Sequence, residues 1–202
     1  MATYEKEFLL KVLENLWKVR KFEQRAMEGG LKGEIKGNIH VCLGEEGAVV
    51  GANMALESTD YITASHRGHG HCVMKSDDVE HTLAELYGKE SGFCHGRGGS
   101  MHVTKVESGL LGANGIVGGG FGLAVGAALA GMRPVIDMRF SNCLPVCMDE
   151  LTNQAAKSRY MFGGQGKVHM VVRCPDGILK MQGAHHTDCL EAWFAHMPGL
   201  QV

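Results

Sequence analysis

Apolar side chains recur at three- and four-residue steps near the start of the chain. Leu9, Val12, Leu13, Leu16 and Val19 fall on one face of a helix predicted from about Glu5 to Met27. Glu5 and Glu7 suit its positive end, and Gly29-Gly30 is its predicted stop. A second helix is expected after Gly44, with Glu45 and Glu46 in its first turn, ending near Leu56. Asp77 with Glu80 resembles a capping box, which predicts a third helix from Asp77 to Tyr87, stopped by Gly88. Between Gly88 and Gly120 the period disappears and the chain reads as a Gly-rich loop. Residues Gly122 to Gly131 suit a small-residue helix able to pack backbone against backbone.

The pattern changes after a turn at Arg133-Pro134. The string VIDMRF reads as a short buried strand, and Pro145 opens a helix running through Met148, Leu151 and Ala155 to Tyr160. Gly163-Gly164 ends that helix. KVHMVVR reads as another strand, CPDG as a turn, and Cys189 to His196 as a last short helix. Strands followed by helices predict α/β layering with a parallel sheet and flanking helices.

Composition narrows the class. With 202 residues the chain is long enough for one domain or a small pair. A formal charge of −2 gives no reason to expect nucleic acid or an anionic membrane as partner. The 29 glycines are about twice the usual share, and they concentrate between Gly88 and Gly131, so they are a local device. No apolar run approaches the ~18 residues of a membrane span, and the Lys- and Glu-studded start does not read as a secretory leader. Seven cysteines without paired spacing fit reduced thiols, which predicts a cytoplasmic location.

Three segments carry candidate chemistry. SHRGHGH places His66, Arg67, His69 and His71 close together. An Arg between imidazoles on a Gly-containing loop suits a diphosphate, which takes charge-assisted donors and close backbone approach. Two other readings stay open: a zinc site, against which the spacing counts, and buried histidines satisfying polar groups between subunits. GRGGSMH, from Gly96 to His102, adds backbone amides, Arg97 and the Ser100 hydroxyl, a nest able to face an anion or a plain surface turn. GANGIVGGG sets Ile116 and Val117 between glycines, as a flat ring or a tight subunit contact would require.

Taken in order, HRGHGHC, AELYGKESGFCHGRGGSMHV and LGANGIVGGG resemble the alpha subunit of the thiamine-diphosphate-dependent first component of 2-oxo acid dehydrogenase complexes, nearest to acetoin dehydrogenase. His66 stands where pyruvate-type subunits usually have Tyr. IHVCLGEEGAVVGA and RKFEQRA fit the same subunit. AVGAALAGMRPV, MDELTNQAAKSRYMFGGQGKVHMVVR and LEAWFAHMPGLQV resemble the beta subunit of that component. The resemblance therefore implies an alpha-like part over residues 1–121 and a beta-like, pyrimidine-binding-domain fragment over residues 122–202. The fold it implies is a partial, transketolase-like thiamine-diphosphate-binding fold, incomplete relative to the family.

The same resemblance implies the site. His66 and Arg67 would contact the diphosphate, and Gly115 and Val117 would lie against the aminopyrimidine through their backbone. His40 would face the substrate side and His186 would belong to the active-site wall, where proton transfers occur. The cofactor would supply carbonyl addition and stabilise the charge left by C–C cleavage. The two-carbon unit would pass to a lipoyl group on an acyltransferase component. Two family features are missing from the sequence. No GDG followed by Asn is present to hold magnesium through hard oxygens, and Val117 occupies the position of the glutamate that protonates the aminopyrimidine. Apolar faces without their usual covering predict either aggregation or assembly with intact homologous alpha and beta subunits.

Overall fold

The computed structural model describes residues 4–177 and 183–202, and the chain forms two compact units, residues 1–115 and 116–202. The division lies ahead of the handover expected after residue 121.

The first unit is built on helix α1, Lys6–Leu31, whose buried positions Val19, Phe22, Glu23 and Ala26 follow the predicted period. The helix does not stop at Gly29-Gly30. A Cβ on Gly29 would lie 2.5 Å from Tyr87 Oη, and one on Gly30 would lie 2.8 Å from Ile39. These glycines are there for close packing, and the turn is made later, at Gly33 with φ of +69°. Helix α2 spans Glu46–Met54, close to expectation. The HRGHGH segment was read as loop, but from His69 onward it is helix α3, His69–Ser76. Helix α4 spans Val79–Leu86, and its N-cap is Asp78, which accepts from His81 N–H at 3.0 Å, so Asp77–Glu80 is not the capping pair. Asp77 itself takes a left-handed conformation, φ 52°, at the end of α3.

Strands β1, Ile62–Ser65, and β2, Leu110–Asn114, pair in parallel with an irregularity at Ile62/Thr63. The sequence reading missed both. Each is too short to show a period, and only Leu110 and Ala113 of β2 are buried. The intervening chain, with α3 and α4, makes the crossover that parallel pairing demands. Three buried clusters fill this unit: Phe22, Ala26, Ile35, Val73 and Leu86; Val19, Cys42, Val49 and Val50; and Cys72, Val103, Leu110 and Ala113.

The second unit starts with helix α5, Phe121–Leu129, and pairs strands β3, Val135–Asp137, and β4, Val171–Arg173, in parallel. β3 is not the buried strand expected, since Val135 is 73% exposed. The single helix expected after Pro145 is a succession of three forms: a 3₁₀ stretch over Ser141–Cys147, a π stretch over Glu150–Ala155, and helix α6, Ala156–Met161. Pro145 has no N–H to donate to a regular ladder. Thr152 Oγ1 donates to Met148 O at 2.8 Å and Ser158 Oγ donates to Gln154 O, so side-chain hydroxyls take carbonyls that backbone amides would otherwise use. Helix α7, Glu191–Ala195, closes the unit. Phe121, Met138, Leu144, Cys147, Leu151, Leu190 and Phe194 form its core. Among the described residues no helix is long and apolar enough to cross a membrane.

Candidate functional site

The first unit brings three of the expected residues together. His40, from the segment before α2, sets its ring edge-on to His66 with centroids 5.1 Å apart. Arg67, beside His66, donates through Nη1 to the carbonyl of Val41. His40 Nδ1 and Arg67 Nε are both buried and have no hydrogen-bond partner among the described residues. Two donor-capable atoms stranded this way cost free energy unless a further group meets them. Gly115 lies in the same unit, where a Cβ would be 3.4 Å from the His102 ring. Val117 and His186 belong to the second unit, so the structure divides the expected residues into these two sets.

Beneath His40 runs an enclosed polar chain. Glu23 of α1 and His69 at the start of α3 are fully buried, with Glu23 Oε2 3.0 Å from His69 Nδ1. His69 Nε2 is 2.8 Å from Ser100 Oγ, and Ser100 Oγ accepts from His40 N–H at 3.0 Å. Glu23 Oε1 also accepts from the Cys42 thiol at 3.0 Å. Burial, and then the Glu23 charge, raise the Cys42 thiol well above the ordinary range. The histidines do not converge as a metal site would need. His69 meets Glu23 and Ser100, His71 Nδ1 meets Asn53 Nδ2 at 2.8 Å, and His66 meets His40.

The amide nest read in GRGGSMH exists, and it is filled from within. Glu85 of α4, fully buried, accepts four backbone N–H groups. Cys94 and Gly96 donate to Oε2 at 2.8 and 2.9 Å, and Gly98 and Gly99 donate to Oε1 at 2.7 and 3.0 Å. The loop is thus neither a plain surface turn nor open to an external anion at these amides, because the chain's own carboxylate takes them. Close approach also fixes glycine here, because a Cβ on Gly98 would lie 2.7 Å from His102 O. Sequence reasoning missed Glu23 and Glu85. The available signal was a carboxylate set into an otherwise apolar helix face, Glu23 among Val19, Phe22 and Ala26, and Glu85 beside Thr82 and Leu86.

In the second unit His186 packs edge-on against Phe140, centroids 4.9 Å apart, and its Nδ1 is 3.0 Å from His185 Nδ1. A cavity of about 380 Å³ nearby is lined by His185, Asn142, Asp188, Cys189 and Trp193, with His186 outside the lining. Asp176, Cys189 and Glu191 bring possible ligand atoms within 4.8 Å of one another at the surface. The Asp176 oxygens already accept from Ser141 Oγ at 2.8 Å and Leu190 N–H at 3.2 Å.

Residues 14–169 match the family model described as "Dehydrogenase E1 component". The chain is similar to the alpha subunit of acetoin:2,6-dichlorophenolindophenol oxidoreductase of Bacillus subtilis, 46% identical over 123 residues, 61% of this chain and 37% of that protein. It is similar to the pyruvate dehydrogenase E1 component alpha subunit of Rhizobium meliloti, 35% identical over 130 residues, 64% of this chain and 37% of that protein. It is also similar to the beta subunit of the acetoin oxidoreductase of Cupriavidus necator, 44% identical over 81 residues, 40% of this chain and 24% of that protein. The chain therefore spans little more than a third of the alpha subunits it matches. With the family model covering more than half of its length, the chain belongs to the dehydrogenase E1 component family.

Proposed function

We propose that this chain takes part in a thiamine-diphosphate-dependent dehydrogenase reaction on acetoin, pyruvate or a related 2-oxo acid, delivering an acyl unit to a lipoyl acyltransferase. The observation that carries the reading is the pair of buried atoms without partners, Arg67 Nε and His40 Nδ1, beside His66 at the entry to α3. A diphosphate is an anion suited to the Arg67 donor, the positive end of a helix favours it further, and the His40 nitrogen is left for the substrate side. When bound, thiamine diphosphate supplies a thiazolium carbon able to add to a carbonyl and hold the electrons left by C–C cleavage.

This chain's residues then have distinct tasks. Arg67 and His66 bind the diphosphate, and Gly115 and Val117 present bare backbone to the pyrimidine ring. His40 faces the substrate and is suited to holding or releasing a proton at Nδ1, and His186 of the beta-like part carries a ring suited to proton transfer. Magnesium does not fit the residues present. The two fully buried carboxylates of the first unit are engaged, Glu23 with His69 and Cys42 and Glu85 with four amides, and the sequence lacks the GDG motif.

The similarity to an alpha subunit over 61% of the chain and to a beta subunit over 40% supports a fusion of alpha-like residues 1–121 with beta-like residues 122–202. It also supports a partial cofactor-binding fold and partnership with homologous subunits. A second reading, an inactive fused remnant that only binds partner subunits, is favoured by Val117 in place of a proton-donating glutamate. Thiamine diphosphate at about 100 times its dissociation constant stabilises a binder by about 2.7 kcal/mol, a rise of roughly 5–10 °C in Tm. Arg67→Met removes that rise. No shift in the wild-type chain at millimolar cofactor, combined with co-purification of intact subunits and no turnover, establishes the remnant instead.

A further inference from the structure

Three consecutive residues, His40, Val41 and Cys42, are each gripped by a different element. Ser100 of the glycine loop accepts the His40 N–H at 3.0 Å. Arg67 donates to the Val41 carbonyl, and the Cys42 thiol donates to Glu23 of α1 at 3.0 Å. His69 joins two of these grips, with Nδ1 on Glu23 and Nε2 on Ser100. We propose that Glu23, His69 and Ser100 are positioning residues, an internal strut that holds the His40 backbone so that its ring stays edge-on to His66 at the mouth of the site. The inference rests on His40, His66 and Arg67 being the cofactor-facing group.

The hydrogen bookkeeping closes without an external partner. Glu23 accepts from the Cys42 S–H and from His69 Nδ1–H. With His69 neutral, Ser100 donates its proton to Nε2 and keeps a lone pair for the His40 N–H. With His69 protonated, Nε2–H would donate to the same oxygen and strand the Ser100 O–H, so the neutral ring is the form that closes the network. In both cases Ser100 Oγ is an acceptor for His40. The distances match those of a nucleophilic triad, but burial says otherwise. His69 is fully enclosed, Ser100 is 7% exposed, and its oxygen is committed to a backbone amide, so no substrate carbonyl reaches it. Glu85 strengthens the strut from the other side by fixing the loop up to Gly99, the residue before Ser100. A fully satisfied enclosed network holds one geometry, because every alternative strands a polar group.

The test uses the full chain labelled with ¹⁵N, read by amide exchange and by the histidine ring nitrogens. Wild type shows a slowly exchanging proton on His69 Nδ1. In Ser100→Ala the protection of the His40 amide falls about tenfold, the effect of one lost hydrogen bond, while amides of α5 in the second unit keep theirs. Ser100→Thr, which restores the hydroxyl, recovers protection. Unchanged His40 exchange in Ser100→Ala, or Ser100→Thr as unprotected as the alanine variant, overturns the strut. If Ser100→Ala unfolds the first unit, the wild-type ring decides: a fast-exchanging Nδ1 proton overturns it and a slow one upholds it. Thiamine diphosphate is then titrated by calorimetry, with affinity expected to drop about tenfold in Ser100→Ala as His40 loosens. Equal affinity with His40 loosened overturns the positioning role. No binding to wild type, with the His40 response intact, overturns the cofactor reading and leaves the strut standing.

Discussion

Replacing Glu85 with glutamine tests whether one buried carboxylate organises the glycine loop. Its two oxygens accept four backbone N–H groups, two each, at 2.7 to 3.0 Å. Glutamine keeps one oxygen and presents an NH₂ where the other stood. Whichever way the amide turns, two backbone donors face a donor. Two charge-assisted bonds of about 1.5–3 kcal/mol each are lost, about 3–6 kcal/mol together. Relief of the carboxylate's desolvation offsets part of this, leaving a net cost of about 2–4 kcal/mol. The two tryptophans lie in different units, Trp17 on α1 and Trp193 on α7. A Trp193→Phe background therefore lets urea unfolding followed by Trp17 fluorescence report the first unit alone. With a slope of about 2 kcal/mol per molar urea, the midpoint falls by about 1–2 M. Glu90→Gln, whose side chain is 82% exposed and paired with His95, is the control and changes stability by no more than about 0.5 kcal/mol. A Glu85→Gln cost below about 1 kcal/mol, with the Gly98 and Gly99 amides still protected from exchange, would refute the reasoning.

Two further outcomes follow from other buried groups. The hydrogen bond from Arg20 holds the Glu46 carboxyl down at about 2, so its stabilising effect is complete above the unfolded value near 4.5 and is lost as pH falls through about 2. The stability difference between wild type and Arg20→Gln, measured by urea unfolding, accordingly shrinks between pH 5 and pH 2; a difference constant across that range contradicts the bidentate pair seen here. For the thiols, burial pushes Cys72 up to about 11 and Cys147 up to about 12, and Cys42 is raised by burial and Glu23, whereas Cys189 is exposed. Desolvation and the nearby Asp176 raise the Cys189 thiol as well, but its exposure decides access, so iodoacetamide at pH 8 followed by peptide mass spectrometry modifies Cys189 before Cys42, Cys72 and Cys147, which react only after urea is added; early labelling of Cys72 contradicts its enclosure.

The helices were largely legible because their signals are local. The apolar period of α1, the acidic first turn of α2 and the small-residue run of α5 each lie within one element. What was not legible depends on neighbours far along the chain. Gly29-Gly30 carries the sequence signature of a stop, yet the helix continues because Tyr87 and Ile39 press against it. β1 and β2 exist through pairing across almost fifty positions, Ile62 with Leu110, and four or five residues hold no readable period. The break from α to π geometry in the second unit comes from hydroxyls at Thr152 and Ser158 turning back on the helix, which a helical wheel does not show.

The glycine loop shows the same limit where chemistry is concerned. Its composition suits either a nest facing an external anion or a plain surface turn, because glycines and a serine are what such a nest needs. That composition fixes the donors and leaves the acceptor open. The acceptor is Glu85, nine positions before Cys94, and its presence turns the loop from a ligand contact into a rigid support. His66 and Arg67 then stand next to a scaffold whose buried carboxylates Glu23 and Glu85 are already paired, which is why the unmet donors at Arg67 Nε and His40 Nδ1 stand out. Unmet donors stand out where the nearby carboxylates have no lone pair left to give. The enclosed carboxylates Glu23 and Glu85 bring about that condition, so the two residues the sequence reading passed over make the expected ones interpretable.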